Sequence, residues 1–392
     1  MKKQISVLLA FLFLLTCGIG SAAPKKKYSI PTKQGSVLQS QEDRGISVQT
    51  GPFRHEAIPG ESATTGMPWE GNYMPMLVQI SNAAGSLTVK GRTVKSSGIG
   101  NSAPWGIHHA DIVYESVLYL TTGTRLTCLF SDSLPQKGVG PVRSARVGSL
   151  LLREEWQGGL VFSGGPRHTG SWQELLAQTG AREGHEYFML ISAGYTDLKY
   201  RVRGVRAPDN FNADIAGFQK LSMGSHVAEP RPFLFADESP YGDYTPATLI
   251  HLDWGQNTSI SHFQYREDTN TYLRYCGAGM KQNAWAPFAS YAEVDDRSKE
   301  NMQQMTFANV IIQRTEYKPE DNSQILSVVQ AVGKGNADIF IGGRYIPGYW
   351  VREGVAEPTV FYDDKGNELR LARGKTYIAH FPPEDLCVFT AD

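Results

Sequence analysis

The chain has 392 residues, 41% hydrophobic and 20% charged, and its 38 Lys and Arg nearly balance 39 Asp and Glu to leave a net charge of -1. Such a length exceeds one ordinary core and fits two domains behind a leader, while the charge balance gives no global pull toward nucleic acid, so no nucleic-acid partner is expected. Four cysteines without metal-ligand spacing point to no metal site, and no cofactor fingerprint accompanies them.

Met1-Lys2-Lys3 followed by the apolar run Ile5 to Leu15 is a charged n-region and an h-region too short to span a bilayer. A signal peptide over residues 1–22 follows. Gly20-Ser21-Ala22 offers small residues before a cut at Ala23, whereas Leu14-Leu15-Thr16-Cys17 resembles a lipobox that would lipidate Cys17; both exits stay open. Either one places the protein outside the cytoplasm, secreted or periplasmic in the first case and lipid-anchored at a membrane surface in the second. Residues 23–72 show no sustained period and read as a flexible tether. Residues 73–222 alternate strand and helix signals, 223–246 are rich in Pro, Gly, Asp and Ser like a junction, and 247–392 carry a succession of short strands. The expected fold is therefore α+β: a mixed α/β N-terminal domain, then a mainly antiparallel β domain.

Within the first domain, Met74 to Ile80 reads as a strand, Gly85 to Pro104 as a long Gly/Ser-rich loop, and Asp111 to Leu120 with Thr124 to Phe130 as a hairpin. The polar members of that hairpin are Asp111, Glu115 and Arg125. Gly138-Val139-Gly140-Pro141-Val142-Arg143-Ser144-Ala145-Arg146 then leads into an apolar run, and Pro141 suits a first helical position. A helix starting there would place Arg143 and Arg146 on one face of its first turns, where unpaired N–H groups already carry positive charge. Two cations at that end call for compensation. Acidic neighbours such as Asp111 and Glu115 could supply it through an internal network, or an anionic ligand could, because guanidinium groups and helix N-termini both suit phosphate and carboxylate.

Leu160 to Ser163 reads as a buried strand, followed by the loop Gly164-Gly165-Pro166-Arg167-His168-Thr169-Gly170 and a helix over Trp172 to Gln178. The loop is neither a Walker motif nor a dinucleotide fingerprint, yet it could aim Arg167 and His168 at the same ligand. Arg201, Arg203 and Arg206 follow on an extended stretch, with Arg206 the one able to join a basic cleft. Asn212 is the expected N-cap of a further helix. In the second domain Cys276 and Cys387 could form a disulfide only if the fold brings them together, and Trp285 and Trp350 suit a core better than a sugar-stacking platform. His251, His262 and His380 fall on different strands without metal spacing.

Gly140-Pro141-Val142-Arg143-Ser144-Ala145-Arg146 resembles the signature of the YerB-like lipoproteins, a bacterial envelope family of unknown function. Ala110-Asp111-Ile112-Val113-Tyr114-Glu115 and Ala207-Pro208-Asp209-Asn210 resemble its pattern too, with Asp209 where His is expected. Asn309-Val310-Ile311-Ile312 and Gly374-Lys375-Thr376-Tyr377-Ile378 fit its second half. The resemblance spans roughly residues 73 to 382 and implies a two-part extracytoplasmic protein without supplying an activity. No nucleophile elbow, HExxH or paired CxxC is present, and the one base placed to serve Ser144 as a nucleophile is His168, so Ser144 reads better as a helix-terminus hydrogen-bonder. The expectation is a protein that binds an anionic, phosphorylated or carboxylated envelope ligand through Arg125, Arg143, Arg146, Arg167, His168 and Arg206. A scaffold with internal arginine–carboxylate networks ranks second, and a phosphoryl or glycosyl hydrolase or transferase third.

Overall fold

The computed structural model describes residues 35–38, 42–48, 55–119, 123–165, 170–255, 260–320 and 326–391. The signal peptide, Cys17, Arg167 and His168 lie outside them. In the first half the elements are β1 (Met76–Ile80), β2 (Ile112–Val117), β3 (Thr124–Phe130), β4 (Val139–Val142), α1 (Val147–Trp156), β5 (Gly159–Phe162), α2 (Gly170–Thr179), β6 (Tyr187–Met189), β7 (Lys199–Arg201), β8 (Phe211–Ala213) and α3 (Ile215–Met223). The second half is built on β9 (Leu249–Asp253), β10 (Ile260–Arg266), β11 (Thr271–Cys276), β12 (Asn309–Arg314), β13 (Gly333–Ile341), β14 (Arg344–Arg352), β15 (Thr376–Phe381) and β16 (Leu386–Thr390). The chain is mostly β, and the three α-helices among the described residues all fall in the first half.

The two halves share one large sheet. Its path runs β7, β8, β4, β1, β3, β2, β15, β12, β13, β14, so β2 of the first half pairs in parallel with β15 of the second, Ile112 opposite Thr376 and Ser116 opposite His380. Strands in the middle of this sheet read as unbroken apolar runs because both faces are covered. Successive side chains alternate between two cores. Leu77, Ile112, Leu129, Ile311 and Ile378 face the core that also holds Leu150, Leu151 and Trp156 of α1. Val78, Val113, Cys128, Val310 and Tyr377 face the other, shared with Ile215 and Phe218 of α3 and with the antiparallel sheet formed by β16, β9, β10 and β11. That second sheet is clasped to the first by a buried ion pair, Arg274 Nη2 to Glu115 Oε2 at 2.6 Å.

Several expectations change here. Part of the 23–72 stretch, read as a tether, is built into the body. Ser36–Leu38 pairs with β16, and Arg44 forms an ion pair with the fully buried Asp338. Ser62 and Thr65 donate hydrogen bonds of 2.6 Å each to Asp132. In the 223–246 stretch, Leu234–Ala236 pairs in parallel with Arg370–Ala372, and Thr245–Pro246 pairs with the start of β14. The 85–104 stretch, read as a loop, is mostly a hairpin, Ala84–Val89 with Arg92–Ser97, turned through Lys90 and Gly91 at positive φ. The arginine motif enters its helix six residues later than expected, since Pro141 belongs to β4. Asn212 lies buried in β8 and Asp214 caps α3 instead, accepting from the Gly217 N–H. Cys276 and Cys387 are free and buried; three strand steps between them span roughly 14 Å, beyond disulfide reach.

Candidate anion site at the fork of the sheet

The large sheet forks beside β1. One edge of β1 is met by β5 at Met76 to Val78 and by β4 only at Ile80, and α1 connects those two neighbours. The chain leaving β4 fills the fork. The Arg143 N–H donates to the Gln79 carbonyl at 2.8 Å, the Ser163 N–H to the Arg143 carbonyl at 2.9 Å, and the Ala145 N–H to the Gly164 carbonyl at 2.7 Å. These bonds fix Arg143 to Arg146 as an extended segment, so the glycine-rich loop after β5 departs beside Ser144 and Ala145. Arg146 is the N-cap of α1, its backbone N–H donating to Ser149 Oγ at 3.0 Å.

Three guanidinium groups gather at this fork. Arg125 comes from β3 and is 7% exposed; its Nη1 donates to the Ser144 carbonyl at 2.9 Å, and its Nε has no hydrogen-bond partner among the described residues. Burial pushes its pKa down to about 9, helped by the positive charges of Arg143 and Arg146 and opposed by Tyr119 and Asp209. Arg146 is also held below the ordinary arginine value, again by burial first, while Tyr119 and Glu320 pull it back. Its Nη1 donates to the Ala145 carbonyl at 2.7 Å, and its guanidinium stands 5.9 Å from the centre of the Tyr119 ring. Arg143, 24% exposed, places Nε 3.0 Å from Asp209 Oδ1, close enough for an ion pair but off the line of a hydrogen bond. Asp209 is 33% exposed and also accepts from Ser81 Oγ at 2.6 Å. Among the described residues it is the one carboxylate within ion-pair distance of these three cations.

Asp209 also connects the fork to a surface cleft of about 630 Å³, bordered by Ser81, Pro141, Arg206, Asp209, Tyr291 and Arg297. Arg206 is exposed on that cleft. The structure thus brings Arg125, Arg143 and Arg146 together and sets Arg206 at the adjoining opening, whereas Arg201 sits on the edge strand β7 with its guanidinium over the Phe211 ring.

Asp111 and Glu115, expected to compensate the arginines, do not. Glu115 is buried against Arg274 and accepts hydrogen bonds from Tyr377, Thr124 and Asn82. Asp111 accepts from Thr64 Oγ1 at 2.9 Å and from the Ser131 and Asp132 N–H groups at 2.8 and 3.0 Å. Burial, with the Asp132 charge beside it, lifts its pKa to about 7. Both acids serve the far end of the hairpin and the sheet contact. Sequence reading missed Asp209 as the ion-pair partner, as well as Tyr119 and Ser81. The one available signal was the Pro208-Asp209-Asn210 turn, which says nothing about Arg143 without the fold. Trp285 and Trp350 are buried, at 3% and 2% exposure, and form no platform. Among the described residues no group of three His, Cys, Asp or Glu could hold a metal ion.

The family whose N-terminal domain is described as a protein of unknown function, DUF3048, matches residues 98–227, and the C-terminal domain of the same family matches residues 250–378. Together they take in about two thirds of the chain, in the order of the family. The chain belongs to this two-domain, YerB-like family. The crystal structure of YerB from Bacillus subtilis is similar over 82% of this chain and 96% of that one, with 20% identity and a TM-score of 0.61, a likeness that shows the fold. Nothing matches among curated proteins. Within the family's N-terminal match lie all the arginines of the fork and Asp209, while Arg274 and Arg297 fall in its C-terminal match.

Proposed function

We propose that this is an extracytoplasmic protein, secreted or lipid-anchored through Cys17, that binds an anionic envelope ligand at the fork formed by Arg125, Arg143 and Arg146. The observation that carries the reading is the charge imbalance there: three guanidinium groups gather at the fork, a carboxylate pairs with Arg143 alone, and a buried Arg125 Nε is left without a partner among the described residues. A buried unpaired donor costs about 1–3 kcal/mol and a charged one more, so a cluster of this kind is favoured when something anionic completes it. Arginine suits phosphate and carboxylate because its planar fork makes two parallel hydrogen bonds.

Thermal-shift measurements with phosphate, pyrophosphate and carboxylated or phosphorylated envelope glycans test the reading, since a ligand that binds only the native state must raise its stability. Arg143→Lys should keep the fold and weaken the shift by losing bidentate geometry. If no anion stabilises the parent protein, the arginines serve the scaffold alone.

A further inference from the structure

The cleft beside the fork carries a second cationic pole. Arg206 and Arg297 both border it, and they flank the same turn: Gly204 faces Arg297 Nη2, which donates to the Arg203 carbonyl at 3.4 Å. Among the described residues neither arginine forms an ion pair. Between this turn and the fork stands Asp209, shared by both, since it lines the cleft and holds Arg143. The volume of about 630 Å³ lies in the range that accommodates a ligand of several linked units and is far more than one phosphate needs. Its walls alternate small apolar residues such as Ala83 and Ala84 with hydroxyl and amide groups such as Ser102 and Asn101. Aromatic faces are scarce: Trp105 is 1% exposed with its Nε1 donating to Asn212, which leaves Tyr291 as the accessible ring.

We propose that the fork and the cleft form one extended site for a chain molecule bearing at least two anionic groups joined by a polyol or sugar unit, with one anion on Arg125, Arg143 and Arg146 and the next on Arg206 and Arg297. This rests on the anion-binding reading of the fork and goes beyond it by naming the ligand's architecture. Two poles separated by hydroxyl-bearing walls match a phosphodiester-linked polyol or a phosphorylated glycan. A single-stranded nucleic acid would want a row of stacking rings, and the cleft offers one. Linking two anions makes the second contact intramolecular, so affinity should rise well above that for either pole alone.

Calorimetric titration of the intact protein at low salt tests this with four probes: inorganic phosphate, pyrophosphate, a short glycerol-phosphate oligomer and an oligothymidylate of equal charge. The glycerol-phosphate oligomer should bind at least about tenfold more tightly than inorganic phosphate, in keeping with an added second contact. Arg206→Gln with Arg297→Gln should bring the oligomer's affinity down to that of inorganic phosphate, and because neither residue forms an ion pair among the described residues the melting midpoint should hold. Arg143→Ala with Arg146→Ala should abolish both. Equal affinity for phosphate and oligomer, with no effect of the Arg206 and Arg297 changes, would overturn the extended site and spare the anion-binding fork. Oligothymidylate binding as tightly as the glycerol-phosphate oligomer would overturn the ligand class. Binding of no probe by the parent would overturn the fork and the extended site together.

Discussion

Two groups of arginines in this molecule are treated in opposite ways. Arg274, Arg314 and Arg352 are each almost wholly buried and each meets a carboxylate, Glu115, Asp338 and Glu155, at 2.6 to 2.9 Å. At the fork, only Arg143 of the three cations meets a carboxylate, Asp209, which is itself a third exposed. Each arginine of the first group is neutralised by a carboxylate, Arg274 and Arg352 across the two halves and Arg314 on an Asp338 that Arg44 shares, whereas the second group is left short of negative charge. An arginine's role therefore follows from its local charge balance rather than from its presence in a motif.

The balanced group can be broken most severely from the N-terminal side. A chain beginning at Asn72 lacks Arg44 for Asp338 and Ser62, Thr64 and Thr65 for Asp132 and Asp111. Its expected outcome is loss of a cooperative thermal transition. A shortened chain that melts at the parent's midpoint would show those contacts to be dispensable. Next in size, Arg274→Met strands Glu115 between two sheets and should cost roughly 3–5 kcal/mol in urea unfolding. A loss under about 1 kcal/mol would mean that Tyr377, Thr124 and Asn82 satisfy the carboxylate unaided.

The same burial makes stability depend on pH in two opposing ways. His251 and His262, joined Nδ1 to Nδ1 at 2.8 Å, are pushed down to about 4 and about 3 by burial, against an ordinary value of 6.5. As pH falls below about 6.5 the unfolded chain takes up protons that these native rings refuse, and stability declines toward pH 4. Asp111 acts in the reverse sense. Its folded value of about 7 stands above the ordinary 3.8, so the stability from its retained proton is fully present below 3.8 and is lost as pH rises through 7. Unfolding midpoints between pH 7.5 and 4 should therefore fall more steeply for Asp111→Asn than for the parent. Parallel curves would remove Asp111 from the account.

The smallest effect on stability belongs to the unbalanced group. Arg143→Ala with Arg146→Ala relieves repulsion on Arg125 while losing one partly exposed ion pair, so unfolding should stay within about 1 kcal/mol of the parent while anion binding disappears. A loss of several kcal/mol would place these arginines with the balanced group.

Much of this was legible in the residues. The hairpin β2–β3 follows from two apolar runs around a turn, and α1 and α2 from helical spacing. The start of α1 was not, because Pro141 suits a first helical turn as well as a strand. Here Gly140 takes part in a two-way bridge with Trp105, and the Pro141 carbonyl accepts from Ser81, contacts no local pattern announces. The hairpin at Ala84–Ser97 hid behind its Gly and Ser content, although Lys90-Gly91 between Leu87-Thr88-Val89 and Thr93-Val94 was a two-residue turn signal. At the site, the motif arginines stood out by type and spacing, and their neighbours did not. Asp209 lies 66 positions beyond Arg143 and Glu115 faces Arg274 from 159 away, so charge pairing is decided by topology that one strand cannot reveal.

The parallel pairing of β2 with β15 also orders events in time. Ser116 hydrogen-bonds His380 across 264 residues, so the strand at the centre of the first half has one open edge until nearly the whole chain is available. Contacts of such separation close slowly, because the intervening chain must be gathered before they reward it. An N-terminal half released ahead of its partner would present that edge of β2, apolar at Ile112, Val113 and Tyr114, to any other strand nearby. Folding to completion therefore waits on the last strands, and a chain cut short before Thr376 would be aggregation-prone whatever the integrity of its arginine fork.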